Sequence, residues 1–173
     1  MDYRVLNQDD FRDSEEFAEV NSISQALLSG LGEPESIAEL ARVNQPGASS
    51  AEVQRVIAPL AFRQGFASER RGLFKEYATS SLRPDFYRRL GNGGILLEVE
   101  RGKTTINNMD LLDLWKCHIC REANVLFLFV PSELRQNESM SPRREFATVS
   151  SRLESFFEPG NETNVEALFL FGY

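Results

Sequence analysis

The sequence predicts an α/β protein: a mixed sheet of four to five strands flanked by helices, with an α-helical N-terminal segment. Three observations predict it. Val125 to Val130 (Val-Leu-Phe-Leu-Phe-Val), closed by Pro131, is a continuous apolar run of strand length, the pattern of a strand covered on both faces. Gly91-Asn92-Gly93-Gly94 is a hairpin signal, because Asn-Gly and Gly-Gly supply the positive φ angles of tight turns. A helical pattern separates that hairpin from the apolar run, which makes a crossover between strands of one sheet.

The elements follow in order. Residues 1–45 read as helical and acidic, with Phe11, Phe17, Val20, Ile23, Leu27 and Leu28 at roughly helical spacing. Ser29 to Pro34, with Gly30 and Gly32, breaks that helix, and Pro34 opens a second one to about Val43. Asn44 to Ser49 has linker composition. A third helix is expected from about Ser50 to Arg63, kinked at Pro59. Gly72 to Ala78 reads as a first strand, followed by the hairpin strands Asp85–Leu90 and Gly94–Arg101. Thr104, Thr105 or Asn108 caps a helix to about Arg121, with Met109, Leu112, Trp115 and Ile119 as its apolar stripe. After Val125–Val130 and a polar loop, Ser141-Pro142 starts a helix to about Phe157, and Ala167 to Phe171 forms the last strand. Residues 1–46 are thus expected to form an acidic helical accessory segment, and residues 47–173 the α/β core.

The chain has 173 residues, enough for one domain with a core that needs no disulfides. The first ten residues lack the basic and apolar regions of a signal peptide, and no apolar stretch is long enough to span a bilayer. With two cysteines, these features place the protein in a reducing cytoplasm, away from membranes. The net charge of −7 is unevenly distributed. Residues 1–50 carry ten acidic and three basic side chains, the whole of the imbalance, whereas residues 51–103 carry ten basic and six acidic. Of the 19 basic residues, 16 are Arg, the side chain suited to bidentate phosphate contacts.

The candidate site lies in the hairpin. In Gly94–Arg101, Ile95, Leu97 and Val99 share one strand face, and Glu98 and Glu100 the other. Pairing back across the turn puts Leu90 opposite Ile95, Tyr87 opposite Glu98, and Asp85 opposite Glu100. Asp85, Glu98 and Glu100 then converge, with direct neighbours about 5 Å apart and diagonals about 7–8 Å. Three like charges with no Lys between them call for a divalent cation. The plainer alternative is a solvated acidic face, which the flanking Leu96 and Leu97 disfavour.

Pro84-Asp85, a twelve-residue spacer, and Glu98-Val99-Glu100, then a helix and an apolar strand, resemble the PD-(D/E)XK phosphodiesterase superfamily, with its restriction-endonuclease-like fold. The resemblance covers about residues 50–131. It implies an endonuclease that hydrolyses DNA with Mg²⁺ (or Mn²⁺ as a substitute), the metal held by Asp85, Glu98 and the carbonyl of Val99. Glu100 stands where the family usually has Lys, as it does in some of the family's restriction enzymes. Lys103 is the nearest replacement, although strict alternation puts it on the opposite face unless Gly102 bends the strand. The resemblance further implies an acidic metal support on the preceding helix, Glu52 with Glu76 as a second candidate, and it leaves room for a homodimer. Arg88, Arg89 and Arg101 are the candidates for phosphate contacts. The alternative function is a catalytically inactive member of the fold serving as a nucleic-acid-binding or protein-interaction module, consistent with the missing Lys and the acidic N-terminal segment.

Other signals are weaker. Cys117-His118-Ile119-Cys120 has no second Cys/His cluster to complete a zinc site and reads as helix packing. One histidine and no Gly-rich phosphate loop leave a Ser-His-Asp hydrolase and a phosphate-loop nucleotidase unsupported.

Overall fold

The computed structural model of the chain describes residues 1–68, 73–75, 77, 82–102, 104–135, 137 and 139–173. Its strands are β1 (Asp2–Asn7), β2 (Ala67–Ser68), β3 (Phe86–Arg89), β4 (Gly94–Val99), β5 (Val125–Val130) and β6 (Ala167–Gly172). The helices are α1 (Glu15–Leu31), α2 (Pro34–Val43), α3 (Ser50–Arg63), α4 (Met109–Ile119) and α5 (Glu145–Glu154). One mixed sheet runs β1-β6-β5-β4-β3-β2, parallel between β4, β5 and β6 and antiparallel elsewhere. This is the expected fold class with six strands rather than four or five.

The strands divide their side chains by parity. Ile95, Leu97, Val99, Phe127, Phe129, Phe169 and Phe171 face α1, α2 and α3, and the Phe129 and Phe171 rings stack with centroids 4.3 Å apart. Leu96, Leu126, Leu128, Leu168 and Leu170 face the other way, onto Leu114 and Cys117 of α4 and Val149 and Leu153 of α5. With both faces covered, the central strands lose alternation and read as apolar runs.

Two element assignments change. The helix expected over residues 1–45 does not begin at the start of the chain: Asp2–Asn7 is β1, paired with β6. Val20, Ile23 and Leu27 of α1 then lie in the same buried cluster as the central strands, so this segment supplies a sheet edge and part of the core. The strand expected over 72–78 is not found where that stretch is described: residues 73–75 form a turn, with the Tyr77 N–H donating to the Phe74 carbonyl. The short strand β2 precedes it instead. Phe74, fully buried, explains the apolar signal without a strand.

The hairpin register also shifts. Phe86 pairs with Leu97, Tyr87 with Leu96 and Arg88 with Ile95, and the Leu90 N–H donates to the Gly93 carbonyl. The loop is therefore Gly91-Asn92, and the register is displaced by two residues from the expected one. None of residues 91–94 has a positive φ. Gly93 and Gly94 serve close approach instead: a Cβ on Gly93 would fall 2.2 Å from Asn124 Oδ1, and one on Gly94 2.6 Å from the Glu122 carbonyl.

Candidate active site

A shift of two residues preserves the face on which every side chain points. Continuing the observed register one step puts Asp85 opposite Glu98 rather than Glu100, still on the face toward α4. The contacts agree: the Asp85 N–H donates to Glu98 Oε2 at 3.2 Å, and the Val99 N–H donates to Asp85 Oδ2 at 2.8 Å. Gln54, on α3, also hydrogen-bonds the Asp85 carboxyl group. Glu98 is buried, although all of β4 around it is apolar.

Its counter-ion comes from α4. Lys116 Nζ lies 2.5 Å from Glu98 Oε1 and 2.7 Å from Asp113 Oδ1, and all three side chains are almost fully buried. The stripe Met109–Leu112–Trp115–Ile119 did not reveal this. The buried positions of α4 are Asp110, Asp113, Leu114, Lys116 and Cys117, whereas Trp115, expected in the core, is 45% exposed. Apolar content alone set the predicted phase of the helix, and the buried face carries its charge. The readable signal was Asp110, Asp113 and Lys116 at three-residue intervals beside Leu114 and Cys117, a stripe of the same period.

Among the described residues, the site is short of positive charge. Asp85, Glu98, Glu100 and Asp113 act on one another electrostatically, with Lys116 as the cation common to them. Burial raises Asp85, against the lowering effect of the Val99 N–H. Glu98 is pushed well above the carboxylate range by burial and then by Asp113. Glu100 is pushed up to about 8 and Asp113 to about 6, each first by burial. Burial opposes the charged form of Lys116, but Glu98 and Asp113 more than reverse this and raise its pKa. Four carboxylates around one ammonium cannot all ionise unless further positive charge enters. Asp113 Oδ2 is also buried with no hydrogen-bond donor among the described residues. Hard oxygen donors in charge deficit fit Mg²⁺ or Mn²⁺ in chemical type. As they stand, however, no three acidic, imidazole or thiol side chains among the described residues are gathered tightly enough to enclose an ion.

The remaining sequence candidates separate. Glu52 does not reach the site. Its carboxylate accepts from the Ser49 N–H at 2.8 Å in a capping box that starts α3, and that bond lowers its pKa. Gln54, two residues on and about 200° around the helix, points to Asp85 instead. Arg88 lies on the opposite sheet face, paired with Glu19 at 2.8 Å and bonded to the Gln64 carbonyl, so it ties α1 and the end of α3 to β3. Arg101 donates to Asn44 Oδ1, to the Ala48 carbonyl at 2.6 Å and to the Gln45 carbonyl, clamping the turn between α2 and α3. Arg89 is exposed near the hairpin end of β3. The backbone does leave the extended region at Gly102 (φ 95°), but Lys103 and Glu76 lie outside the described residues. Cys117 and Cys120 are buried free thiols, and His118 Nδ1 accepts from the Asn164 N–H, so this motif serves packing.

No family model matches the chain, and no curated protein matches it. Among solved structures, it is similar to the crystal structure of restriction endonuclease BglII complexed with a DNA 16-mer, at 12% identity and a TM-score of 0.53 over 98% of this chain and 75% of that one. The fold is restriction-endonuclease-like. No helix among the described residues is long and apolar enough to cross a membrane.

Proposed function

We propose that the chain is a Mg²⁺-dependent endonuclease acting on DNA, with Mn²⁺ as a substitute ion. The observation that carries this reading is the buried trio Glu98–Lys116–Asp113, with half-buried Asp85 and Glu100 beside it, where the hairpin meets α4 in a restriction-endonuclease-like fold. Charge this dense and this far from water is costly to the fold, and clusters of this kind concentrate at functional sites. Asp85, Glu98 and the Val99 carbonyl would hold the ion. When bound, it supplies an activated water for attack on phosphorus and stabilises charge on the phosphoryl oxygens. Glu100, its pKa raised to about 8, would orient that water or accept its proton, and Gln54 and the Val99 N–H hold the Asp85 carboxyl group in place. Arg89, exposed near the hairpin end of β3, remains for the phosphate backbone. Cutting both strands of a duplex takes two such sites, so the reading includes a homodimer on DNA.

One observation favours a second reading. Lys116 already bridges Glu98 and Asp113, as expected of a catalytically inactive fold that keeps its charges paired and binds nucleic acid or protein. Incubating plasmid with the protein and Mg²⁺ or Mn²⁺, beside an Asp85→Ala/Glu98→Ala control, separates the two. The endonuclease reading expects nicked or linear products from the native chain alone; intact plasmid with retained DNA binding supports the inactive fold.

A further inference from the structure

Lys116 is bound to Glu98, one of the carboxylates that would hold a metal ion. Its ammonium sits at hydrogen-bond distance from Glu98 Oε1 and Asp113 Oδ1, in a pocket where these side chains are nearly inaccessible to water. The contact also shapes the ligands. Glu98 Oε1 is held toward α4, and Asp85 Oδ2 is held by the Val99 N–H, so the carboxylates are not gathered around one point. Mg²⁺ requires oxygens at about 2.0–2.1 Å in octahedral array. A cation that close to Glu98 Oε1 would sit beside the Lys116 ammonium, and like charges at such range in a buried site repel strongly.

We propose that Lys116 is an internal counter-ion that competes with the divalent cation for Glu98 and thereby sets the metal affinity of the site. The inference rests on the metal-dependent reading above. In the metal-free protein the ammonium pairs with Glu98 and Asp113 and offsets part of the charge buried there. Metal entry requires the lysine to leave Glu98 while Asp113, on its own helix, retains it.

The test is Mn²⁺ binding by the full chain, measured by titration calorimetry and by the loss of the free-ion paramagnetic signal. Four proteins are compared: native, Lys116→Met, Lys116→Arg and Asp85→Ala/Glu98→Ala. The expected result is Mn²⁺ affinity at least about tenfold tighter in Lys116→Met, little changed in Lys116→Arg, and lost in the double variant. Equal or weaker binding by Lys116→Met, with native binding intact, overturns the counter-ion role and leaves the metal site standing. No Mn²⁺ binding by any of the four at millimolar concentration removes the metal reading and this inference with it. If Lys116→Met does not fold alone, recovery of its cooperative melting by Mn²⁺ supports the proposal. Failure of that rescue, while Lys116→Arg folds, overturns it.

Discussion

β4 and α4 both present charge to the same buried site, yet one was readable from the sequence and the other was not. In the strand, side chains alternate with a period of two, so a register error of two residues left Asp85, Glu98 and Glu100 on one face. In the helix, successive residues turn by about 100°, so moving the apolar stripe by one or two positions exchanges inside for outside. Trp115 and Lys116 exchanged places in this way, the aromatic ring outside and the ammonium inside. Period-two patterns tolerate the commonest mistake, and helical patterns do not.

Adjacent residues of α4 carry the largest expected contrast. Leu114 is buried and Trp115 exposed. Leu114→Ala should lower unfolding free energy by about 2–4 kcal/mol, and Trp115→Ala by less than about 1 kcal/mol, in urea melts. The reverse order would restore the phase expected from the sequence.

The next effect is pH dependence without metal. Glu100 is raised to about 8 from 4.5, and Asp113 to about 6 from 3.8. The folded chain therefore keeps protons that the unfolded chain has released. The stability they contribute is full below the ordinary carboxylate values and is lost as pH rises through 6 and then 8. In EDTA, Tm should fall by roughly 5 °C or more between pH 5 and pH 8.5, and Mg²⁺ should reduce that fall. A Tm rising over this range would contradict the buried-charge account.

The hairpin glycines give a smaller contrast. A Cβ on Gly94 would meet Tyr87 Cε2 at 2.5 Å and the Glu122 carbonyl at 2.6 Å, whereas one on Gly91 meets nothing within 4 Å. Gly94→Ala should cost about 1–3 kcal/mol, and Gly91→Ala should be neutral or slightly stabilising. Equal effects in chemical melts would mean that the glycines serve turn conformation after all.

The smallest effect separates two residues of α3. Glu52→Ala removes a capping-box partner and should lower stability slightly while leaving cleavage unchanged. Gln54→Ala should change stability little and lower the cleavage rate, because Gln54 touches Asp85. Cleavage that follows Glu52 instead would return the metal support to the residue expected from the sequence.

The apolar runs Val125–Val130 and Ala167–Gly172, and the helices beginning at Pro34 and Ser50, were legible because burial on both faces and capping chemistry leave direct marks on composition. β1 was not. Asp2, Arg4 and Asn7 make it polar, and its pairing with β6 is set by residues some 165 positions away. Arg88 and Arg101 were ambiguous for a related reason: guanidinium groups near a site suit phosphate, carboxylates and backbone carbonyls alike, and only the tertiary structure shows their partners within the protein. Lys116 was invisible for the opposite reason. A buried ammonium is a rare exception to the rule that lysine is exposed, tolerated here because Glu98 and Asp113 surround it.

The most direct test of the account is cleavage of supercoiled plasmid in Mg²⁺ by the native chain and by Asp85→Ala/Glu98→Ala, with equal folding of both checked by circular dichroism. Nicking by the native chain should stop in EDTA and fall at least about a thousandfold in the double variant, since both proposed metal-holding carboxylates are gone. Cleavage that survives the double substitution, or a folded native chain that never cuts with Mg²⁺ or Mn²⁺, would contradict it.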